Sequence, residues 1–342
     1  MNPLLALAAT CLISVCVTGA VRRYALSRQL LDIPNARSSH TVPTPRGGGM
    51  GIVVAMIGLA LALPWLDLVS TRQALIYGLC GGFVAALGFL DDHGHVPAGW
   101  RLIGHFAAAI AAVALAGGLP EIVVFGHVLA LGWFGDALAV LVVVWMLNLF
   151  NFMDGIDGLA GSEAVLAGAI GALVLMQSTG MRAEVLWLFG LAAAAAGFLV
   201  WNWPPAKIFM GDAGSGFLGF AFGVAPILAA KIAPMFFWVM LILPGVFVVD
   251  ATLTLIRRVM RGQRPHEAHR SHAYQYASRK HGGHRPVTAV CALLTVGWCG
   301  PMAWMVAAGH LDGALGLAIS YAPLALLAFF YKAGAAERQE AG

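Results

Sequence analysis

Charged residues are scarce in this chain. Asp, Glu, Lys and Arg together make up 11% of its 342 residues, whereas hydrophobic residues make up 60%. Soluble globular domains carry about a quarter charged residues and about half apolar residues. The scarcity therefore excludes a soluble globular protein, and the mean hydropathy of +0.83 agrees with that exclusion. We expect an all-α, polytopic membrane protein.

Cysteine is scarce as well. The five cysteines lie in apolar runs without a CxxC pair or neighbouring loop ligands, which favours small core residues over metal or redox sites. The net charge of +4 comes from basic residues at the ends of apolar runs, where membrane orientation explains them without nucleic acid. Met1–Ala20 lacks a basic segment at its start, so we expect a first span rather than a cleavable signal peptide.

Long apolar runs are abundant. A helix needs about 20 apolar residues to cross the hydrocarbon, and eleven runs meet this requirement. They cover approximately residues 2–21, 47–66, 71–90, 102–118, 133–150, 158–178, 184–202, 214–230, 235–256, 287–308 and 313–331. Residues 119–131 alternate and contain Gly126 and His127, which predicts a short hairpin outside the membrane. No internal repeat is apparent, and we expect a single integral membrane domain over residues 1–342.

Lys and Arg are distributed unevenly over the loops between these spans. With the N-terminus outside, the inner loops and the C-terminal tail hold seventeen of the twenty Lys and Arg residues. The outer loops hold only Arg72, Arg182 and Lys231. Because basic residues concentrate in cytoplasmic loops, we expect an outside N-terminus and a cytoplasmic C-terminus.

Acids and histidines concentrate in four short loops beside these spans, at residues 90–95, 148–158, 210–215 and 265–272. Polar groups beside membrane spans are costly to keep unless they serve a function. The expected orientation places all four loops on the cytoplasmic face. We therefore expect an active-site cleft on that face.

The third span ends in two adjacent carboxylates, Asp91 and Asp92. Such a pair repels itself unless a cation or strong donors offset the repulsion. Two roles remain open at this point: an interfacial cap for the next segment, or a metal-linked or proton-accepting pair.

Four side chains with oxygen ligands recur at every third position: Asn148, Asn151, Asp154 and Asp157. On a helix this spacing predicts one polar stripe. Such ligands suit Mg²⁺, which binds one or two protein oxygens together with phosphate oxygens and water. A calcium-binding EF-hand fits poorly, since no bidentate Glu closes the loop. A polar helix end that only caps is the remaining alternative.

Small residues surround Asp212 just before another span. A helix start of this kind offers free backbone N–H groups to a phosphate. The acid fits an N-cap or a metal ligand, and the neighbouring Asn/Asp pattern favours the metal ligand. The glycines Gly47–Gly49 at the start of the second span give a weaker version of this signal, since glycine also serves helix packing.

The longest inner loop, residues 257–285, holds eight Lys and Arg residues and five histidines. A basic segment resting on anionic lipid is one interpretation. The other is that His269, Arg270 and His272 hold a diphosphate through charge-assisted contacts. Asp250, inside the ninth span, is either a packing or helix-positioning acid or part of the cleft.

Taken in order, these segments resemble the polyprenyl-phosphate N-acetylhexosamine-1-phosphate transferases, the MraY and WecA type within glycosyltransferase family 4. The chain departs from the family pattern at His93 to His95 and in its reduced histidine motif, and it is most similar to the WbpL-like branch that initiates O-antigen chains. The matching pieces are Pro34-Asn35-Ala36-Arg37 with His40 and Gly47–Gly49, Asp91-Asp92, NxxNxxDGxDGL from Asn148, FMGDAGS from Phe209, and His269-x-x-His272.

The resemblance implies transfer of N-acetylhexosamine 1-phosphate from a UDP-sugar to undecaprenyl phosphate in the bacterial inner membrane, with release of UMP. It implies Mg²⁺ as cofactor, with Mn²⁺ as the alternative, and membrane lipids as partners. A homodimer is left open. The implied catalytic residues are Asp91 and Asp92, and the implied metal ligands are Asn151 and Asp212. The implied substrate-binding residues are Asn148, Asp154, Asp157, His269, Arg270, His272 and Arg101.

Two rival functions fit less well. A secondary transporter with an inner-face cation or proton site predicts charges near the bilayer midplane, where Asp250 is the candidate, whereas the other acids gather at one edge. A CDP-alcohol phosphotransferase also uses magnesium, but its DGxxAR helix followed by spaced aspartates is absent from the sequence.

Overall fold

The computed structural model describes residues 3–34, 42–94, 96–264 and 269–336. Helices dominate this part of the chain, and two short antiparallel ribbons complete it. The strands are β1 (Leu31–Asp32), β2 (Thr44–Pro45), β3 (Ile122–Val124) and β4 (His127–Leu129). The helices are α1 (Pro3–Ser27), α2 (Met50–Trp65), α3 (Thr71–Gly94), α4 (Ala98–Ala116), α5 (Gly132–Met153), α6 (Leu159–Thr179), α7 (Ala183–Asn202), α8 (Asp212–Ala230), α9 (Met235–Ile242), α10 (Gly245–Val259), α11 (Ala273–Lys280), α12 (His284–Ala307) and α13 (Gly313–Phe330).

Each of the eleven predicted spans coincides with helix. Among the described residues, nine helices are long and apolar enough to cross a membrane, and α9 and α10, which meet at a bend of 73°, make a tenth if the pair is counted as one span. The bend lies at Pro244, where proline removes a backbone donor and prevents a straight helix. Of the helices at the predicted spans, α2 is too short to count as a candidate membrane span, because it is apolar but has only 16 residues. The prediction of an all-α, polytopic membrane protein is therefore confirmed, with a span count slightly below eleven.

Helix α8 occupies the centre of the fold. Every residue from Ala213 to Ala230 is buried. Its glycines allow close approach to α5, since a Cβ at Gly223 would lie 2.8 Å from the Cα of Val143. Small residues at such contacts let helix backbones pack tightly in membranes. The buried helix therefore gives Asp212, its first residue, a fixed position.

The glycine run before α2 serves packing against the start of α8. A Cβ at Gly49 would lie 2.5 Å from the Cα of Gly214. The amides of Gly48 and Gly49 donate to the carbonyls of Phe209 and Met210 at 2.8 and 2.9 Å. Of the two roles open for this run, helix packing is the one that the contacts support.

A hairpin stands at the end of the bundle away from the acidic loops. β3 pairs antiparallel with β4, with Val123 opposite Val128, which confirms the hairpin predicted for residues 119–131. The indole of Trp238 donates to the carbonyl of Val123 at 2.8 Å and fastens the hairpin to α9. The cysteines are all free, and Cys80, Cys291 and Cys299 are buried in the core.

Asp250 has a structural role inside α10. It is buried, and its carboxylate accepts bonds from the amides of Ala273 at 2.9 Å and Tyr274 at 3.0 Å. The ring of His272 lies 3.3 Å away. These amides open α11, where a carboxylate satisfies unpaired donors and the helix dipole. Of its two alternatives, Asp250 is thus the helix-positioning acid.

Candidate active site

Three of the acidic loops and the end of the basic loop meet at one end of the bundle around a cavity of about 240 Å³. Contacts across the loops hold the wall together, such as the ion pair of Arg46 with Asp92 and the contact of Asp157 with His284. The wall is formed by Asp32, Arg46, Asp92, Asn151, Asp154, Gly155, Ile156, Asp157, Asn202, Phe209, Gly211, Asp212, Ser215, Gln275 and His284. Most of this wall is polar, at the end of an otherwise apolar bundle.

The adjacent acids Asp91 and Asp92 engage different partners. The side chain of Asp92 is only 3% exposed, and its Oδ1 lies 2.8 Å from Nη2 of Arg46. Asp91 accepts a bond from Arg101 and one from the amide of Val96 at 2.8 Å. Cationic donors thus offset the repulsion within the pair. Val96 lies before Pro97, the N-cap of α4, and this N-cap has no side-chain cap bond, so Asp91 does not cap that helix.

Asp212 lines the cavity and forms an ion pair with Arg101. Gly211 takes the N-cap position of α8 with φ 80°, so the carboxylate of Asp212 is not the cap. Its Oδ2 lies 3.2 Å from Nη1 of Arg101. Asn151 stands beside it and donates to Oγ of Ser215 at 3.4 Å. The fold therefore brings the two predicted metal ligands, Asn151 and Asp212, into contact.

The Asn/Asp repeat does not form a single helical stripe, so that prediction is wrong. Helix α5 ends at Met153 and carries Asn148 and Asn151, whereas Asp154 is its C-cap and Asp157 lies in the following loop. Gly158 then takes the N-cap position of α6 with φ 73°, a conformation that glycine permits. Asn148 is turned away from the cavity, and its amide donates to the carbonyl of Val144 at 2.7 Å.

Asp154 lies where negative charge accumulates. Burial raises its pKa well above the usual range, and the carboxylates of Asp212, Asp92 and Asp157 raise it further. A divalent cation would relieve this repulsion. In the described ranges no three acidic, His or Cys side chains converge closely enough to hold a metal by themselves. The oxygen-rich wall therefore fits Mg²⁺ bound partly by substrate phosphates, as this ion prefers.

Asp157 joins three segments of the site. Its Oδ2 accepts a bond from the amide of Ala206 at 2.9 Å, and its Oδ1 lies 3.1 Å from Nδ1 of His284. Its backbone carbonyl accepts from Thr288 at 2.8 Å. These contacts tie the loop after α5 to α12 and to the segment before α8.

The predicted diphosphate-binding motif lies behind the cavity wall. His272 is buried as the N-cap of α11, and its amide donates to Gln275 at 3.2 Å. The ring of His269 packs on that of His272 with centroids 4.9 Å apart. Burial, followed by the charges of His272 and Arg258, lowers the pKa of His269 to about 3, so this ring is neutral at pH 7. Neither histidine nor Arg270 lines the cavity, whereas Gln275 does.

Several wall residues escaped the sequence argument. Asn202 accepts from the amide of Gly158 and donates to the carbonyl of Ile208, both at 2.9 Å. Asn202 stands at the end of an apolar run, and this position was a usable sign of a functional residue. The sequence around Arg46, Gln275 and His284 gave no such sign. The motif pieces Asn35–Arg37 and His40, and also His95, lie outside the described residues.

An apolar groove of about 510 Å³ adjoins the cavity. Its walls come mainly from α3, α4 and α5, and most of its lining is hydrophobic. Asn151 and Asp212 line both the groove and the cavity. Arg101 lies at the same end of the groove as these two residues. A molecule with a long apolar tail and an anionic head would therefore reach the acidic cluster from within the bundle.

Comparison with known proteins agrees with this arrangement. The sequence model described as Glycosyl transferase family 4 matches residues 74–230. The chain is 31% identical to a probable undecaprenyl-phosphate N-acetylglucosaminyl 1-phosphate transferase of Bacillus subtilis (strain 168), over 75% of this chain and 72% of that protein.

Two further relatives are undecaprenyl-phosphate alpha-N-acetylglucosaminyl 1-phosphate transferases. The protein of Yersinia pestis is 28% identical over 78% of this chain and 74% of its own length. The protein of Escherichia coli (strain K12) is 27% identical over 75% of this chain and 71% of its own length. With one relative above 30% identity and most of its length covered, the chain belongs to glycosyl transferase family 4.

Proposed function

We propose that this chain transfers N-acetylhexosamine 1-phosphate from a UDP-sugar to undecaprenyl phosphate, and so starts O-antigen or another cell-surface polysaccharide at the bacterial inner membrane. One observation carries the proposal: a carboxylate-lined cavity shares Asn151 and Asp212 with an apolar groove inside the bundle. The two compartments match a polar nucleotide sugar and a lipid acceptor. The names of the relatives support the same reaction.

The groove supplies the acceptor site in this proposal. Its apolar walls take the first isoprene units of the lipid, and the phosphate lies at the end where Arg101 meets Asp91 and Asp212. Guanidinium groups bind phosphate strongly because the donor is charged and planar. Arg101 would therefore exchange part of its carboxylate contacts for the acceptor phosphate when the lipid binds.

The cavity supplies the donor site. Asn151 and Asp212 would hold Mg²⁺, whose chemistry there would be neutralisation of charge on the phosphate oxygens. Asp154 and Asp157 would contact the nucleotide sugar from the cavity wall. The assignment of the diphosphate to His269, Arg270 and His272 stays a prediction. In this motif Arg270 would supply the positive charge that contacts the diphosphate, since His269 is neutral.

The chemical step is a phosphoryl transfer. An oxygen of the acceptor phosphate attacks the sugar-linked phosphorus of the donor, the bond from that phosphorus to the bridging oxygen breaks, and UMP leaves with the electron pair. A phosphate monoester has a second pKa near 6 and is already mostly ionised at neutral pH. Asp91 and Asp92 therefore contribute more by placing Arg101 and Arg46 than by removing a proton, in keeping with a reaction dominated by alignment and charge neutralisation.

A direct assay tests this function. Purified protein is incubated with undecaprenyl phosphate, Mg²⁺ and a panel of UDP-N-acetylhexosamines, and UMP is quantified. We expect UMP release that requires both lipid and divalent cation, and that differs among the sugars. Absence of UMP with every sugar, from protein that remains folded, would refute the transferase.

We also propose that the N-terminus is outside and that the acidic end of the bundle faces the cytoplasm. The asymmetry of Lys and Arg supports this orientation. Reporter fusions after Arg46, Leu119 and Gln339 should report inside, outside and inside. An outside signal at Arg46 would reverse the topology and place the acidic cavity away from cytoplasmic UDP-sugars.

A further inference from the structure

His105 is an unexplained polar residue in the apolar groove. It follows Arg101 by one helical turn on α4, so the two side chains lie on the same face, and both line the groove. Local sequence gives no signal for His105, because it stands alone inside an apolar run. Its position places a ring with hydrogen-bonding nitrogens one turn deeper than the arginine that meets the acid cluster.

The other polar side chains of the groove already have partners. Arg101 contacts Asp91 and Asp212, Asn151 donates to Ser215, and Asn148 donates to its own helix. In contrast, Nδ1 of His105 is buried and has no hydrogen-bond partner within the part of the chain that the structure describes. A buried polar atom without a partner is costly. The ring of His105 lines the groove, and a rotation about its broad χ2 torsion would turn this nitrogen towards a ligand oxygen that accepts its hydrogen bond.

The surroundings restrict what such a ligand can be. The charged groups that act on His105 are Arg101, one turn away, and Asp91. Deeper in the groove the lining becomes apolar, with Leu102, Phe106 and Val144 among its residues. The ligand therefore carries its oxygens at the arginine end and a hydrocarbon chain below them. A phosphate monoester on an apolar tail has this form, whereas a free phosphate would leave most of the groove empty.

We propose that His105 binds the acceptor substrate, donating a hydrogen bond from its imidazole to a phosphate oxygen of the prenyl phosphate, beside Arg101. This inference rests on the proposed function and assigns a further residue to its acceptor site. Three non-bridging oxygens are available on the phosphate. With Arg101 and His105 on two of them, the third is directed towards the cavity that holds the donor.

Direct binding without the donor tests this role. Purified full-length protein is titrated with farnesyl phosphate, farnesol and inorganic phosphate, and dissociation constants are measured by a label-free method. His105→Leu should weaken farnesyl phosphate binding about tenfold, the effect of losing one hydrogen bond to a charged group, and leave farnesol binding unchanged. His105→Gln, which retains a donor, should recover most of the affinity. His105→Met serves as a second loss variant if the Leu variant does not fold.

Phe106→Leu is the matched control, since it alters the same groove without changing a donor. This variant should weaken farnesyl phosphate and farnesol alike. Unchanged farnesyl phosphate binding in folded His105→Leu or His105→Met, or an equal loss for farnesol, would overturn the assignment. Farnesyl phosphate binding no tighter than inorganic phosphate would also overturn it, because the tail would then contribute nothing.

The binding assay and the UMP assay can fail independently. Suppose that the parent protein releases no UMP but His105→Leu loses phosphate-selective binding. The lipid phosphate site would then be supported and the transferase refuted. In the active enzyme, the same variant should raise the KM for the prenyl phosphate while the KM for the UDP-sugar stays the same. A rise confined to the UDP-sugar would refute the acceptor assignment and leave the transferase intact.

Discussion

Replacing Asp212 with Asn should reduce UMP release by at least about a thousandfold. The carboxylate lies at the junction of cavity and groove, 3.2 Å from Arg101 and beside Asn151. The amide keeps the size of the side chain but removes the charge that would hold Mg²⁺. A divalent cation contributes several kcal/mol of transition-state stabilisation, and about 4 kcal/mol corresponds to a thousandfold in rate. UMP release over a range of Mg²⁺ concentrations measures the effect.

The stability of this variant should not fall with its activity. Asp92, Asp154 and Asp157 share the cavity wall with Asp212, so removing one negative charge relieves repulsion in the folded protein. A thermal midpoint equal to or above that of the parent protein, together with lost turnover, would mark Asp212 as a residue kept for function at the expense of stability.

Asp136→Asn provides the matched control for the Asp212 variant. Asp136 lies at the opposite end of the bundle and accepts a bond from the amide of Leu119 at 2.7 Å. An Asn oxygen can accept the same bond, so turnover should stay within about twofold of the parent protein, as for most changes away from a site. Near-normal turnover and unchanged Mg²⁺ dependence in Asp212→Asn would instead remove Asp212 from the metal site.

The sequence predicted those features that depend on the polarity of the chain. The apolar runs located the helices because a membrane-spanning helix must be both long and apolar. The acidic loops were identified as one site because polar residues are rare in such a chain and an alternating topology places them at one end. The contacts between Arg101 and Asp212, more than a hundred residues apart, agree with that reasoning.

Features that depend on packing were not predictable in the same way. A spacing of three residues suggested a continuous polar stripe, but α5 ends at Met153, so Asp154 and Asp157 lie beyond the helix. His272 has the residue type of a phosphate ligand, yet it is buried beside Asp250 and does not line the cavity. Arg46 and Gln275 reach the cavity only through tertiary contacts. Local sequence carries no signal for such contacts.

Gly88→Ala should reduce turnover about a hundredfold or more although Gly88 bears no functional group. Gly88 lies where α3 packs against the start of α8, and a Cβ there would be 2.5 Å from the carbonyl carbon and oxygen of Asp212. These are backbone atoms of a buried segment, so the helices must separate. Separation would move Asp212 away from Asp91 and Arg101, and a displacement of about 1 Å can cost a hundredfold in rate.

Gly82→Ala is the control within the same helix. A Cβ at Gly82 would meet only the side chain of Ile57, at 3.5 Å, which is ordinary van der Waals contact, so this variant should retain full activity. UMP release and thermal unfolding are measured for both variants, because overpacking in Gly88→Ala also costs about 1–3 kcal/mol of stability. If folded Gly88→Ala released UMP at the parent rate, the close approach of α3 and α8 would not set the geometry of the acidic cluster. Loss of activity in Gly88→Ala alone would show that this glycine is required to bring the acid pair and Asp212 together.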